Sequence, residues 1–311
     1  MDSSLKISVV IPAYNAEAFI ERSLHSVMRQ TYKPSEIIVV DDGSTDKTSE
    51  IIKKYGERIC YTYKKNGGEA SARNFGVNSA KYDWIAFLDS DDEWTADHLG
   101  NFAGIISQKP DLMWFGAPIK HVDEISRKIL FTYKKRRRNK LIDNIYFEDY
   151  LSALPPQGFF SASTMIINKK VFSKLGLFDT AKTTGTDVDM WFRIGLHFPE
   201  IGYSQDTGVV VYRRQESLSN SKKWDPELTL ARFAEIEEHS KLLGAEYALR
   251  AEPRLIYRVN KLLRAAISKS DYAIIKKIKD LYFPRLPFKY QALIVIITVY
   301  PGITKFLKAL R

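Results

Sequence analysis

Seven carboxylates in three short segments are the residues whose spacing could do chemistry. They are Asp41 and Asp42, Asp89, Asp91 and Asp92, and Asp187 and Asp189. The first two groups each follow a short apolar run, Glu36 to Val40 and Trp84 to Leu88, that reads as a buried strand. In an open α/β sheet, ligands bind beyond the carboxyl ends of the strands, so these two groups are expected to face one crevice. A lone strand-end Asp is usually a turn former. Three carboxylates in four residues repel one another, and a divalent cation is the usual compensation. An Asp-x-Asp so placed suits Mg²⁺ or Mn²⁺ held by one or two carboxylates plus phosphate oxygens of a substrate.

The phosphate turns of two common nucleotide folds are absent from the sequence. No GxGxxG follows the first strand, and no GxxxxGK[ST] occurs. The first strand, Lys6 to Pro12, runs instead into Pro12-Ala13-Tyr14-Asn15, where Tyr14 offers a face for a base to stack on. None of the five His residues pairs with another at ligand spacing. The single cysteine, Cys60, lies in an apolar run and is expected to be a packed thiol.

The elements that must position these residues alternate strand and helix. Strands are expected at Lys6–Pro12, Glu36–Val40, about 59–63 and Trp84–Leu88, with helices at about 16–30, 47–55 and 70–80. Asn15 is expected to cap the first helix. Repeated βα units with β-rich apolar strands imply a mostly parallel sheet covered on both faces. Residues 110–215 are mixed, with strands at Leu112–Ala117, Ser163–Ile167 and Val209–Tyr212 and helices at Lys169–Leu175 and Asp187–His197. From about Asp225 the pattern is helical. The expected division is therefore an α/β domain over 1–222 and a basic helical region over 223–311.

Composition narrows the field further. A chain of 311 residues, 45% hydrophobic and 13% aromatic, can bury a substantial core and is not disordered. The net charge is +10, and from Arg232 onward there are 16 Lys/Arg against 7 Asp/Glu. A basic tail fits a polyanion, either nucleic acid or an acidic membrane surface. No run reaches the roughly 20 apolar residues of a spanning helix. The short apolar run Ala292–Tyr300, flanked by Lys289, Lys305, Lys308 and Arg311, reads as an interfacial segment. Lys134-Lys135-Arg136-Arg137-Arg138 reads as a solvated loop. With no leader-like segment, the expected place is the cytoplasm.

Four ordered segments carry a family resemblance: Ser8–Asn15, Ile38–Asp46, Gly67–Asn74 and Phe87–Asp92. A fifth, Thr186–Arg193, is similar to an acidic catalytic segment. Together, over about residues 6–215, they resemble the family 2 glycosyltransferases, inverting enzymes with a GT-A fold. The resemblance implies metal-dependent transfer of one sugar from a nucleotide-sugar, with a UDP-sugar preferred, to a lipid-linked oligosaccharide, lipopolysaccharide or capsule acceptor. It implies that Pro12, Tyr14 and Asn15 line the nucleotide, that Asp42 accepts from a uracil N–H, and that Arg73 neighbours the diphosphate. Asp91 is then the main ligand of Mn²⁺ or Mg²⁺, Asp89 touches the metal and the sugar or ribose, and Asp92 stands behind them. Arg214 lies near the donor phosphates. Asp187 is favoured over Asp189 as general base, although Thr186 stands where the family usually has Glu. The stretch 141–160, with Pro155-Pro156-Gln157-Gly158, is expected to shape the acceptor site.

Processive synthases add membrane spans and a Gln-x-x-Arg-Trp motif, and neither occurs here. A sugar-nucleotide pyrophosphorylase would need a Gly-rich basic loop after the first strand. Nucleic-acid binding explains the charge but not the acidic clusters, which repel phosphate. The partners expected are therefore a sugar donor, a glycan or lipid-linked acceptor and the inner face of the membrane, with the protein peripheral on it.

Overall fold

The computed structural model describes residues 5–132, 145–153, 160–182, 185–214 and 225–300. The expected basic loop at 134–138, the segment Pro155–Gly158 and the cations after residue 300 lie outside them. The chain divides into two compact units, Met1–Ser217 and Leu218–Arg311.

The first unit is built on an eight-stranded mixed sheet. Its founding strand, β1 (Ile7–Ala13), is buried at every position, as its unbroken apolar run requires. It is flanked on one side by β2 (Glu36–Asp41) and then β3 (Cys60–Tyr63), and on the other by β4 (Trp84–Phe87), all parallel. Past β4, the order continues through Met165–Asn168, Trp114–Gly116, Ile201–Tyr203 and Tyr146–Phe147. The Met165–Asn168 strand is antiparallel to both of its neighbours, which makes the sheet mixed. Helices α1 (Ile20–Met28), α2 (Thr48–Lys53), α3 (Glu69–Ser79) and α4 (His98–Gln108) supply the crossovers. The fit is close: a Cβ at Gly76 of α3 would lie 2.2 Å from Val10 Cγ1 of β1.

A four-stranded sheet completes the unit. It contains β5 (Glu93–Trp94), β7 (Ile119–Asp123), β8 (Ile129–Thr132) and β12 (Val209–Arg213), counting Trp114–Gly116 as β6 and the remaining strands of the first sheet as β9 (Tyr146–Phe147), β10 (Met165–Asn168) and β11 (Ile201–Tyr203). The order is β5-β12-β7-β8. The sequence pattern does not reveal most of this sheet, because β5 has two residues and β7 mixes Lys120, His121 and Asp123 with its apolar positions. After α5 (Tyr150–Ala153) and α6 (Lys169–Leu175), helix α7 (Thr186–His197) brings in the last acidic segment.

Two local expectations need correction. Asn15 does not cap α1. The helix starts at Ile20, and Asn15 sits at φ 46° in the left-handed region, which Asn tolerates better than most residues. The amides that a cap would serve are taken by the neighbouring loop: Ala16 N donates to Thr48 Oγ1 at 2.7 Å and Glu17 N to Asp46 Oδ2 at 3.0 Å. Cys60 is exposed rather than packed, because β3 is the edge strand of the sheet.

The second unit is helical: α8 (Pro226–Leu243), α9 (Ala245–Lys269), α10 (Tyr272–Tyr282) and α11 (Phe288–Val299). Asp225 caps α8 by accepting from Leu228 N at 2.9 Å, and Asp271 caps α10 through Ile274 N at 3.2 Å. Phe233, Leu255, Val259, Leu263, Ile278 and Ile294 lie in its own apolar core. Arg285 closes it by pairing with Glu237 at 3.0 Å and Glu252 at 2.7 Å. No helix among the described residues is long and apolar enough to cross a membrane.

One buried base gives the fold a pH dependence. His98 on α4 is 1% exposed, lies 4.7 Å from the rings of both Trp94 and Phe102, and its Nε2 has no hydrogen-bond partner among the described residues. Burial holds its pKa down at about 3. Below about pH 6.5 the unfolded chain takes up a proton that the folded chain refuses, so stability falls as pH drops toward 3. The loss approaches roughly 1.4 kcal/mol per pH unit from this residue. In thermal melts between pH 7 and 4.5, His98→Gln is expected to show a shallower fall in Tm than wild type; equal slopes would contradict the assignment.

Candidate active site

Parallel pairing brings the first two acidic groups to one edge. Ala13 of β1 is in register with Asp41 of β2, and Val10 of β1 with Phe87 of β4. The chain therefore leaves β2 at Asp42 and β4 at Asp89 on the same side of the sheet. Pro12 is buried within β1, opposite Val40, while Tyr14 beyond it is half exposed. Asn15 ties this turn to the next: its N–H donates to Ser44 Oγ at 3.0 Å, and its side-chain oxygen accepts from Thr45 N at 2.8 Å.

Asp41 and Asp42 are both buried and fully engaged. Asp41 accepts from Ser44 N at 2.8 Å and from the Tyr61 hydroxyl at 3.0 Å. Burial and that bond push the Tyr61 hydroxyl up to about 12. Asp42 accepts from Gly67 N at 3.0 Å, Gly68 N at 2.7 Å and the Lys64 ammonium. Its carboxylate thus holds the Gly67–Gly68 turn that opens α3. Gly68 sits at φ 85°, which favours glycine.

Helix α3 presents Arg73 to the loop after β4. The guanidinium is 1% exposed and pairs with Glu69 and, at 2.6 Å, with Asp89. Asp187, from α7, adds to the negative field around it. These anions outweigh the burial cost and raise the Arg73 pKa. Its Nε and Nη1 have no partner among the described residues. Burial, with repulsion from Glu69 and Asp91, raises Asp89 to about 6 despite Arg73. Asp92 is pushed up too, first by burial and then by Asp91 and Asp89, and its Oδ2 accepts from the Ser163 hydroxyl at 2.6 Å. Asp91 is the more exposed member, and Arg214, just past β12, pairs with its Oδ2. Arg214 also stacks on Phe19 at 3.7 Å.

The two acids of α7 differ in their surroundings. Asp189 accepts from Lys182 Nζ at 2.6 Å and Arg193 Nε at 3.0 Å. Arg193 in turn donates to the carbonyls of Leu175 and Leu177, both at 2.9 Å. Asp189 is therefore part of a brace between α7 and the turn after α6. Asp187 is electrostatically coupled to Arg73. Trp191 of the same helix is core: it is buried and donates to Phe160 O at 3.2 Å.

The structure adds residues the sequence reading did not single out. Ser163 joins Asp92, to which its hydroxyl donates, and the Asp89 amide, from which it accepts at 3.0 Å; Lys64 holds Asp42; Glu69 faces Arg73. Glu69 alone carried a sequence signal, lying four residues before Arg73 on one helix face. The others come together only through the sheet.

Whether the site suits a divalent cation follows from its donor set. Among the described residues, no group of three or more His, Cys, Asp or Glu could hold a metal by itself. Asp89 and Asp91 are hard oxygen donors, and Asp89 is raised by burial and then by the nearby Glu69 and Asp91 carboxylates, a repulsion that a cation would relieve. Two carboxylates completed by donor phosphate oxygens fit Mg²⁺ or Mn²⁺, which seldom have an all-protein cage.

Acids at the ends of parallel strands, facing two arginines and with no dinucleotide turn, are an arrangement suited to a phosphate-bearing ligand. Residues 8–176 match the family model described as Glycosyl transferase family 2, and the chain belongs to that family. It is a nucleotide-sugar-using glycosyltransferase. It is 31% identical over 239 residues, 76% of this chain, to an uncharacterized glycosyltransferase of Rickettsia typhi. It spans 70% of that protein's length and 58% of a Rickettsia prowazekii relative's. Over 97 residues, 30% of this chain and 38% of the relative, it is 45% identical to the putative teichuronic acid biosynthesis glycosyltransferase TuaG of Bacillus subtilis. A crystal structure of S. aureus TarS in complex with UDP-GlcNAc superposes with a TM-score of 0.72 at 20% identity, covering 93% of this chain and 84% of that one.

Proposed function

We propose that this protein transfers a single sugar from a UDP-sugar, with inversion and with Mn²⁺ or Mg²⁺, to a surface-glycan or lipid-linked acceptor. The observation that carries the reading is the placement of the Asp89-x-Asp91 loop between Arg73 and Arg214, with Asp187 on a separate element coupled to the same Arg73. The relatives that bear names of surface-glycan enzymes, and the UDP-GlcNAc complex of TarS, support the donor and acceptor class.

An inverting transfer is one in-line displacement. The acceptor hydroxyl oxygen bonds to the anomeric carbon as the carbon–oxygen bond to the diphosphate breaks. Asp187 takes the hydroxyl proton, and the nucleoside diphosphate leaves with the bonding pair. Arg73 and Arg214 supply fixed positive charge where that pair arrives. Asp91 and Asp89 would hold the divalent ion, which would supply Lewis-acid stabilisation at the diphosphate. Tyr14, half exposed at the end of β1, offers its ring to the base. Asp42 would serve the base through the Gly67–Gly68 turn it holds as well as through any direct contact.

The second unit supports placement on the inner face of a membrane. On α11, Phe288, Val295, Ile296 and Val299 are exposed, and Lys289 adds positive charge. Such a face suits an anionic bilayer surface. It would bring the enzyme to an acceptor carried on a lipid.

Calorimetry of UDP, GDP and dTDP with and without Mn²⁺ tests the donor site. Metal-dependent UDP binding that is lost in Asp91→Ala is the expected result; absence of metal-dependent binding by any nucleotide would overturn the reading. Asp187→Asn is expected to cut turnover by about 10²–10⁴-fold with UDP affinity kept, whereas Asp189→Asn is expected to spare turnover and lower Tm by breaking the α7 brace. The opposite pattern would move the base to Asp189. In flotation with anionic phospholipid vesicles, wild type is expected to rise with lipid and the double variant Ile296→Gln, Val299→Gln to stay below; a wild type that stays below removes the membrane placement.

A further inference from the structure

The loop that bears Asp89 and Asp91 is held from behind by two adjacent residues of α1. Ser23, fully buried, has its hydroxyl 2.6 Å from Asp92 O, 2.8 Å from Ser90 O and 3.4 Å from Asp89 O. Arg22 takes the remaining carbonyl of the loop, with Nη2 donating to Asp91 O at 2.8 Å. All four carbonyls of residues 89–92 are thus directed to one helix. The Arg22 guanidinium is itself aimed: Nη1 donates to Glu124 Oε1 at 2.8 Å, Nη2 lies 3.3 Å from Glu124 Oε2, and the plane stacks on Tyr212 at 3.7 Å. Tyr212 is two residues before Arg214, the residue that pairs with the Asp91 carboxylate, and its hydroxyl is fixed by Glu93 at 2.6 Å.

We propose that Arg22 is a positioning residue of the donor site. It fixes the main chain of Asp91 and the strand that delivers Arg214, and so sets how well the loop holds a divalent ion against the donor diphosphate. This inference rests on the metal and UDP reading above. It needs Arg rather than Lys, because only a planar fork serves a carbonyl and a carboxylate while stacking on a ring. Groups that orient metal ligands typically change metal affinity by about 10–100-fold when removed. Arg22 acts through the loop carbonyl and the Tyr212 ring, so its loss should weaken binding of the ion far more than it slows the chemical step.

The test is a Mn²⁺ titration of UDP binding by calorimetry, with steady-state transfer measured over the same Mn²⁺ range. Wild type, Arg22→Met, Arg22→Lys and Asp91→Ala are compared after circular dichroism establishes folding. Arg22→Met is expected to need about tenfold more Mn²⁺ for half-maximal UDP binding, with kcat at saturating Mn²⁺ within about threefold of wild type, and Arg22→Lys to recover only part of the loss. A wild-type Mn²⁺ requirement in Arg22→Met, with UDP binding lost in Asp91→Ala, would overturn the role of Arg22 and leave the donor-site reading standing. A wild-type requirement in Asp91→Ala as well would remove both. Should Arg22→Met not fold, Glu124→Gln, which releases the guanidinium from its anchor, is expected to shift the Mn²⁺ requirement in the same direction; no shift there overturns the proposal.

Discussion

A buried guanidinium organises the site. Arg73 is nearly inaccessible to water, and a charge so placed is costly unless anions surround it. Here Glu69 comes from its own helix, Asp89 from the end of β4 and Asp187 from α7. Satisfying one cation therefore fixes three elements relative to one another. The same attraction gathers Asp89 and Asp187, which lie about a hundred residues apart in the chain, around a common charge.

The loop after β4 is built the opposite way, by spending its backbone. A loop that points its carboxylates toward a ligand must place its carbonyls elsewhere, and buried carbonyls need donors. Ser23 and Arg22 supply them from α1. The cost appears in the raised pKa values of Asp89 and Asp92, which reflect burial and crowding. That electrostatic cost is offset by the apolar core to which β1 and β4 contribute.

The two turns that follow β1 and β2 are similarly interdependent. Asn15 accepts from Thr45, Ser44 and Thr48 receive amides from residues 15 and 16, and Asp42 holds the turn before α3. Three consecutive βα junctions are thereby joined side by side. This explains why the acidic residue after β2, which looks in sequence like a direct ligand, has its oxygens committed to neighbouring amides. It also explains why Asn15 is not a helix cap.

The sequence by itself determined the parallel core and the general location of the chemistry. The runs at β1, β2 and β4 are too apolar to be anything but buried strands, and parallel strands carry their following residues to one edge. The helical second unit was legible for the same reason, from periodicity alone. Tertiary structure decided what each acid meets: Asp189 accepts from Lys182 and Arg193, whereas Asp187 adds to the field around Arg73. The exposure of Cys60 depends on β3 being an edge. Apart from β12, which is readable at Val209–Tyr212, the short strands of the second sheet carry no clear period of their own, and β5 and β7 form against a partner distant in the chain. Residue type and spacing record local periodicity, whereas the charge a carboxylate meets is set by neighbours that only the folded sheet brings near.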